Sequence, residues 1–230
     1  SSGMTPLGLP LNLATGRPYS GVNILLLWFA AIEQSRPSQR WLTFKQALGL
    51  GGAVRKGEKG TMVVYADTFI PKSEQEKAAA SGAEARRVGF LKRFTLFHRD
   101  QCDGLPPDPD AAPLPGRSEI IPEVERVIAA TSADIRIGGE MAFYAPGPDF
   151  IQLPPQEAYF EPINWYRTKL HELGHWTGHG ARLNRDFSGM RGGDTYAREE
   201  LVAELCSAFL CAELGIAPTV RHADYLGAWL

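Results

Sequence analysis

The sequence predicts an α+β protein in two parts: a basic N-terminal domain built from helices and a β-hairpin, then a second domain of short strands and longer helices. Three observations predict it. Residues 1–100 carry 14 Lys+Arg against 7 Asp+Glu, and residues 101–230 carry 10 against 19, so a net charge of −2 hides a basic half and an acidic half. Five prolines fall between Asp103 and Pro115, a linker composition that places the boundary between domains 4–115 and 116–230. The apolar period also switches, alternating through Thr61–Ile70 and recurring every three to four residues in the later helices.

At 230 residues and 44% hydrophobic, the chain is long enough for one large or two small cores. Ser1-Ser2-Gly3 ahead of Met4 reads as a cloning remnant and is left out of the fold. Thr15 to Gly21 is a turn-rich entry, and Val22 to Gln34 is a helix apolar on most of its surface. Its run Ile24–Ile32 is nine residues long, too short to span a bilayer, and no signal peptide is evident. Trp41 to Leu48 reads as a short helix ended by Gly49, Gly51 and Gly52, followed by the charged turn Val54-Arg55-Lys56-Gly57-Glu58-Lys59-Gly60.

Thr61–Ile70 and Arg86–His98 are β-rich and pair as a long hairpin. Between them, Lys72 to Ala85 is polar and Ala-rich and reads as a mobile excursion. Phe90, Phe94 and Phe97 alternate with Lys92, Arg93 and Arg99, an interleaving that suits single-stranded nucleic acid, where bases stack and phosphates meet cations. Aromatics in a sheet are more often core, which is the plainer alternative. The three cysteines, two of them on one predicted helix, argue against a disulfide framework and for a reducing compartment.

The second half opens with a helix over about Ile120–Thr131. Three short strands follow, at Asp134–Ile137, Ala142–Tyr144 and Phe150–Leu153. Next comes Lys169-Leu170-His171-Glu172-Leu173-Gly174-His175-Trp176, entered through Pro162, which suits a first helical turn. On a helix His171 and His175 share a face one turn apart and can reach one metal ion, with Glu172 rotated beside it to take a proton from a water. Gly174 would let another element come close. His179 lies about 12 Å along the axis from His171 at 1.5 Å per residue, too far to share the ion, and reads as a helix-end or outer-shell histidine.

A third ligand is expected from Arg198-Glu199-Glu200-Leu201-Val202-Ala203-Glu204-Leu205, where Glu200 and Glu204 lie one turn apart on a buried helix. Glu-x-x-Ala-Glu resembles the gluzincin second helix. That resemblance implies Glu200 as ligand and Glu204 as the outer acid that orients a ligand histidine, with the reverse assignment open. Glu199 reads as a solvated face charge. Zinc is the default for such a set; manganese or another divalent ion could use the same ligands. A last short helix is expected near Tyr225, and His222 or Tyr225 could steady an oxyanion.

Thr15-Gly16-Arg17-Pro18-Tyr19-Ser20-Gly21-Val22-Asn23, Trp41-Leu42-Thr43, Val54 to Gly60 and His171 to His179 occur in this order. So arranged, the chain resembles the ArdC-type antirestriction proteins of conjugative plasmids, along nearly its whole length from about Leu9. The resemblance implies an N-terminal domain that binds single-stranded DNA and a C-terminal zincin-like metallopeptidase domain of gluzincin type. It implies a cytoplasmic bacterial protein that protects incoming plasmid DNA from restriction in the recipient cell, with a host restriction factor as a candidate protein target and no membrane partner. It makes Arg17, Arg55, Lys56 and Lys59 expected phosphate contacts, with Trp41 or Tyr19 as stacking partners; Asn23 and Trp28 are expected to be structural. The alternatives are a DNA-binding shield whose metal site is structural only, and a plain cytosolic metallopeptidase.

Overall fold

The computed structural model describes residues 8–36, 38–82, 84–107, 117–188 and 193–216, with side chains from residue 122 onward in the helix that begins at Arg117. It divides into two compact units, Pro10–Asp108 and the chain from Pro109 on. The expected helix near Tyr225, His222, Tyr225 and most of the proline-rich stretch lie outside the described residues. Among the described residues, no helix is long and apolar enough to cross a membrane.

The first unit comprises β1 (Leu11–Asn12), α1 (Val22–Glu33), β2 (Arg40–Thr43), α2 (Phe44–Gly49), β3 (Ala53–Val54), β4 (Thr61–Phe69), α3 (Lys72–Ser81), β5 (Val88–His98) and β6 (Cys102–Asp103). Its main sheet runs β1-β2-β5-β4, and β3 pairs with β6. β4 and β5 form the expected hairpin over nine antiparallel pairs, Thr61 opposite Leu96 to Phe69 opposite Val88. α1 lays Leu27, Ala30 and Ala31 against Trp41, Val63 and Leu96 to make the core. Asn23, at the start of α1, bonds both backbone groups of Val64: Nδ2 donates to the carbonyl at 2.7 Å, and Oδ1 accepts from the N–H at 2.9 Å.

Two expectations here are corrected. Trp41-Leu42-Thr43 is strand, not the first turn of a helix; the helix starts only at Phe44, where Thr43 and Gln46 form a reciprocal capping box. Within the stretch read as a polar, mobile excursion with no element of its own, Lys72 to Ser81 is helix α3, because Lys, Glu, Gln and Ala are strong helix formers and Gly82 ends it in the left-handed conformation at φ 68°.

The second unit comprises α4 (Arg117–Thr131), β7 (Asp134–Ile137), β8 (Phe143–Ala145), β9 (Phe150–Leu153), α5 (Pro162–Trp176) and α6 (Asp194–Glu213). Its sheet runs β7-β9-β8, β7 parallel and β8 antiparallel to β9. Ile151 and Leu153 from β9, Trp165, Leu170 and Leu173 from α5, Val124 and Ile128 from α4 and Cys211 from α6 share one core. Pro162 opens α5 at its first turn, as expected. α6 crosses α5 closely: a Cβ on Gly174 would lie 2.8 Å from the Ala203 Cα. That is the close approach the glycine foretold, and it sets what the two helices can hold between them.

Candidate metal centre

α5 presents His171, Glu172 and His175, and α6 presents Glu199, Glu200 and Glu204. The two Nε2 atoms of His171 and His175 are 3.1 Å apart. Glu200 straddles them, Oε2 at 3.6 Å from His171 Nε2 and Oε1 at 3.5 Å from His175 Nε2. One donor atom from each residue falls within 4.8 Å of the others, the one group of this kind among the described residues. Donors bound about 2.0–2.1 Å from a tetrahedral ion stand roughly 3.3 Å from one another. The observed separations fit a small divalent ion.

Each imidazole also has a carboxylate behind it. Glu199 Oε1 lies 3.1 Å from His175 Nδ1, and Glu204 Oε1 lies 3.6 Å from His171 Nδ1. The Glu199 hydrogen bond at Nδ1 holds the His175 tautomer that leaves Nε2 free to bind, while Glu204 lies at ion-pair distance from His171. Glu199 corrects the expectation of a solvated charge: it is only 8% exposed. One residue before Glu200, it is turned about 100° round α6, which points it at the C-terminal end of α5. There Arg185 also holds it, at 2.8 Å.

His179 is not in this outer layer. The helix ends at Trp176, the chain turns, and His179 Nδ1 accepts the Ala181 N–H at 3.1 Å and lies 3.8 Å from Asp149. Its helix-end reading stands and its outer-shell reading does not.

Glu172 opens onto the same cavity of about 400 Å³, together with His171, His175, Glu200, Tyr144, Phe187 and Tyr196. Burial pushes its carboxyl up to about 7; His171 and the Tyr144 N–H pull the other way, and Glu200 adds to the rise. Burial also lowers His175, with His171 adding to the effect. Burial pulls His171 down as well, but Glu200, Glu172 and Glu204 outweigh it and the net shift is upward. Glu200 is held low, first by His171, with Tyr196 also bonded to it. Tyr196, Glu199 and Arg185 were missed at the level of sequence. The spacing of Tyr196, one turn before Glu200, was the signal available.

In the first unit, Arg17, Lys56 and Lys59 are exposed, as phosphate contacts must be. Arg55 is exposed but engaged, donating to Glu58 at 2.8 Å, to Asp103 at 3.3 Å and to the Asp100 carbonyl. Its guanidinium ties the turn together while staying exposed. Trp41 is fully buried and edge-on to His98 at 5.0 Å, so no base can stack on it. Tyr19 is half-buried, its hydroxyl accepting from Asn12 Nδ2 at 3.0 Å. Exposed aromatics of this unit include Tyr65, Phe69 and Phe94 on the hairpin and Phe44 on α2. Phe94, Tyr65, Phe90 and Phe69 share the face that buries Val63 and Leu96 nearer its base, with neighbouring ring centroids 6.4, 6.2 and 5.9 Å apart. Tyr65 is 48% and Phe94 43% exposed, and the Lys92 ammonium lies 5.1 Å over the Phe90 ring.

Residues 1–97 match the family described as the N-terminal domain of anti-restriction factor ArdC, and residues 122–230 match the family described as zincin-like metallopeptidase. The chain is 38% identical over 229 residues to the uncharacterized protein y4eC of Sinorhizobium fredii (strain NBRC 101917 / NGR234), covering 96% of this chain and 72% of that one. It is 38% identical over 244 residues to DNA primase TraC of Escherichia coli, covering 99% of this chain but 22% of that protein. Two crystal structures of the antirestriction ArdC protein from R388 plasmid are similar to it. The metal-free one has TM-score 0.73 and 39% identity, over 96% of this chain and 78% of that one; the Mn(II)-bound one has TM-score 0.72 and 38% identity, over 96% and 77%. Alike in sequence along nearly its whole length and alike in fold, the chain belongs to the ArdC-type antirestriction family, with an ArdC N-terminal domain and a zincin-like domain.

Proposed function

We propose that this chain protects incoming plasmid DNA from restriction in the bacterial cytoplasm, holding single-stranded DNA with its first unit and carrying a divalent-metal, peptidase-type centre in its second. The observation that carries the second part is the convergence of His171, His175 and Glu200, with Glu172 beside them in an open cavity. His171, His175 and Glu200 hold the ion, with zinc the ion this donor set favours; Mn(II) is the ion in the R388 relative. A divalent ion there supplies Lewis acidity, lowering the pKa of a water and polarising a carbonyl. Glu172 takes the proton from the attacking water and passes it to the leaving amine. Glu204 steadies His171, and Glu199 steadies His175. A structural zinc site is closed by four protein ligands. The described residues bring three together, which favours the catalytic reading over a purely structural one.

For the first unit, support comes from exposed Arg17, Lys56 and Lys59 and from the aromatic strip on the hairpin. A host restriction factor is the protein target that fits both halves. One preparation tests the whole reading: metal content, an oligothymidine titration across salt concentrations, and cleavage of a peptide library by wild type and Glu172→Ala. Expected are one divalent ion per chain, binding that weakens steeply with salt, and cleavage lost in the variant with metal retained. Full antirestriction by Glu172→Ala would show that protection does not act through proteolysis.

A further inference from the structure

We propose that Arg185 is a positioning residue for the metal centre, acting through Glu199 on His175. This rests on the metal-centre reading above. Arg185 Nε donates to Glu199 Oε2 and Nη2 to Glu199 Oε1, both at 2.8 Å, a two-pronged grip on the carboxylate. The same guanidinium donates from Nη1 to Thr177 Oγ1 at 2.8 Å and from Nη2 to the Gly174 carbonyl at 2.6 Å. It is therefore fixed to the last turn of α5 while it holds a side chain of α6. With one oxygen gripped from each side, the plane of the Glu199 carboxylate is set, and Oε1 is presented to His175 Nδ1 at 3.1 Å. Arg185 thus fixes how the His175 ring turns and which nitrogen faces the ion.

The sequence provides room for this. A Cβ on Gly178 would fall 2.8 Å from Arg185 Nη2 and 2.6 Å from Phe187 Cζ, so glycine there lets the guanidinium lie flat across the turn. The Arg185 N–H, donating to the Gly178 carbonyl at 2.8 Å, anchors the residue at its backbone as well. A lysine has charge but no planar fork and makes fewer of these bonds at once.

The test compares Arg185→Met, Arg185→Lys and His171→Ala with wild type by Mn(II) and Zn(II) titration. Nitrogen-15 chemical shifts of His175 are recorded in the metal-free proteins, and circular dichroism checks the fold. Loss of an outer partner of a ligand histidine weakens metal binding by roughly 10–100-fold. That loss is expected for Arg185→Met, with a smaller one for Arg185→Lys, and the nitrogen shifts should move from a single Nδ1–H form toward a mixture. If Arg185→Met does not fold, Arg185→Lys carries the comparison. Unchanged metal affinity and unchanged His175 nitrogen shifts in the folded variants overturn the proposal. If wild type binds no more metal than His171→Ala, the metal-centre reading fails, and the nitrogen shifts still decide whether Arg185 sets His175.

Discussion

Replacing Gly174 by alanine is the sharpest test of how the two ligand-bearing helices are held. The added methyl would lie 2.8 Å from the Ala203 Cα, 3.1 Å from its carbonyl oxygen and 3.3 Å from its Cβ. Carbon atoms pack best about 3.5–4.0 Å apart, so α6 must retreat by roughly 1 Å, since the atoms in the way are backbone. Overpacking of this kind costs about 1–3 kcal/mol, and alanine returns about 1 kcal/mol of helix propensity over glycine. The net expectation is a loss of about 0–2 kcal/mol in urea denaturation. The larger effect is on geometry. Glu199 and Glu200 move with α6 while His171 and His175 stay on α5, so the separations near 3.5 Å open and divalent-ion affinity falls. Calorimetric titration on the folded variant reads this directly. A Gly174→Ala protein that is more stable than wild type and binds metal as tightly would show that the helices are not in the contact described.

Four further outcomes are expected. Trp41→Ala should cost about 3–5 kcal/mol of stability, because the ring is fully buried beside His98; DNA binding should fall only as far as the folded fraction does. Tyr65→Ala and Phe94→Ala should each weaken oligothymidine binding by about 1–3 kcal/mol with the salt slope kept. Lys56→Ala and Lys59→Ala should instead each reduce that slope by about one. Asp149 is held at about 2, first by its hydrogen bonds to Arg182 and also by the Tyr144 hydroxyl at 2.8 Å. Because its folded pKa is depressed, its contribution is present above the ordinary value of 3.8 and is lost as pH falls through about 2. At 31% side-chain exposure that contribution is about 1 kcal/mol after screening. Asp149→Asn should therefore be less stable at pH 7 and match wild type at the acid end in denaturation curves taken across pH; asparagine also accepts the positive φ of 54° there.

The parts legible in the sequence were those fixed by spacing within one element. His171, His175 and Glu172 follow from helical periodicity, and Glu200 and Glu204 from their one-turn separation on α6. The hairpin follows from alternation over 61–69 and 88–98. What escaped depends on how elements approach one another. Glu199 is buried only because Gly174 lets α6 settle on α5, and Arg185 reaches it from a turn that no periodicity describes. Trp41 was misplaced because Trp41, Phe44 and Leu48 recur at helical spacing. The Thr43–Gln46 capping box, which marks Phe44 as the true start, was present in the sequence and outweighs it. Arg55 illustrates the same limit for charge: a basic residue in a basic stretch cannot be told from one already committed to Glu58 and Asp103 until the turn is folded.

The side-chain amide of Asn23 has a consequence for solubility. β4 is the outer strand of its sheet, and an open rim of this kind is a template on which another chain can add itself. By occupying both the donor and the acceptor of Val64, the amide imitates a neighbouring strand for one rung and closes that rung to strangers. Losing the imitation leaves the rim continuous, so self-association at high concentration, rather than failure to fold, is the defect an Asn23→Leu protein should display.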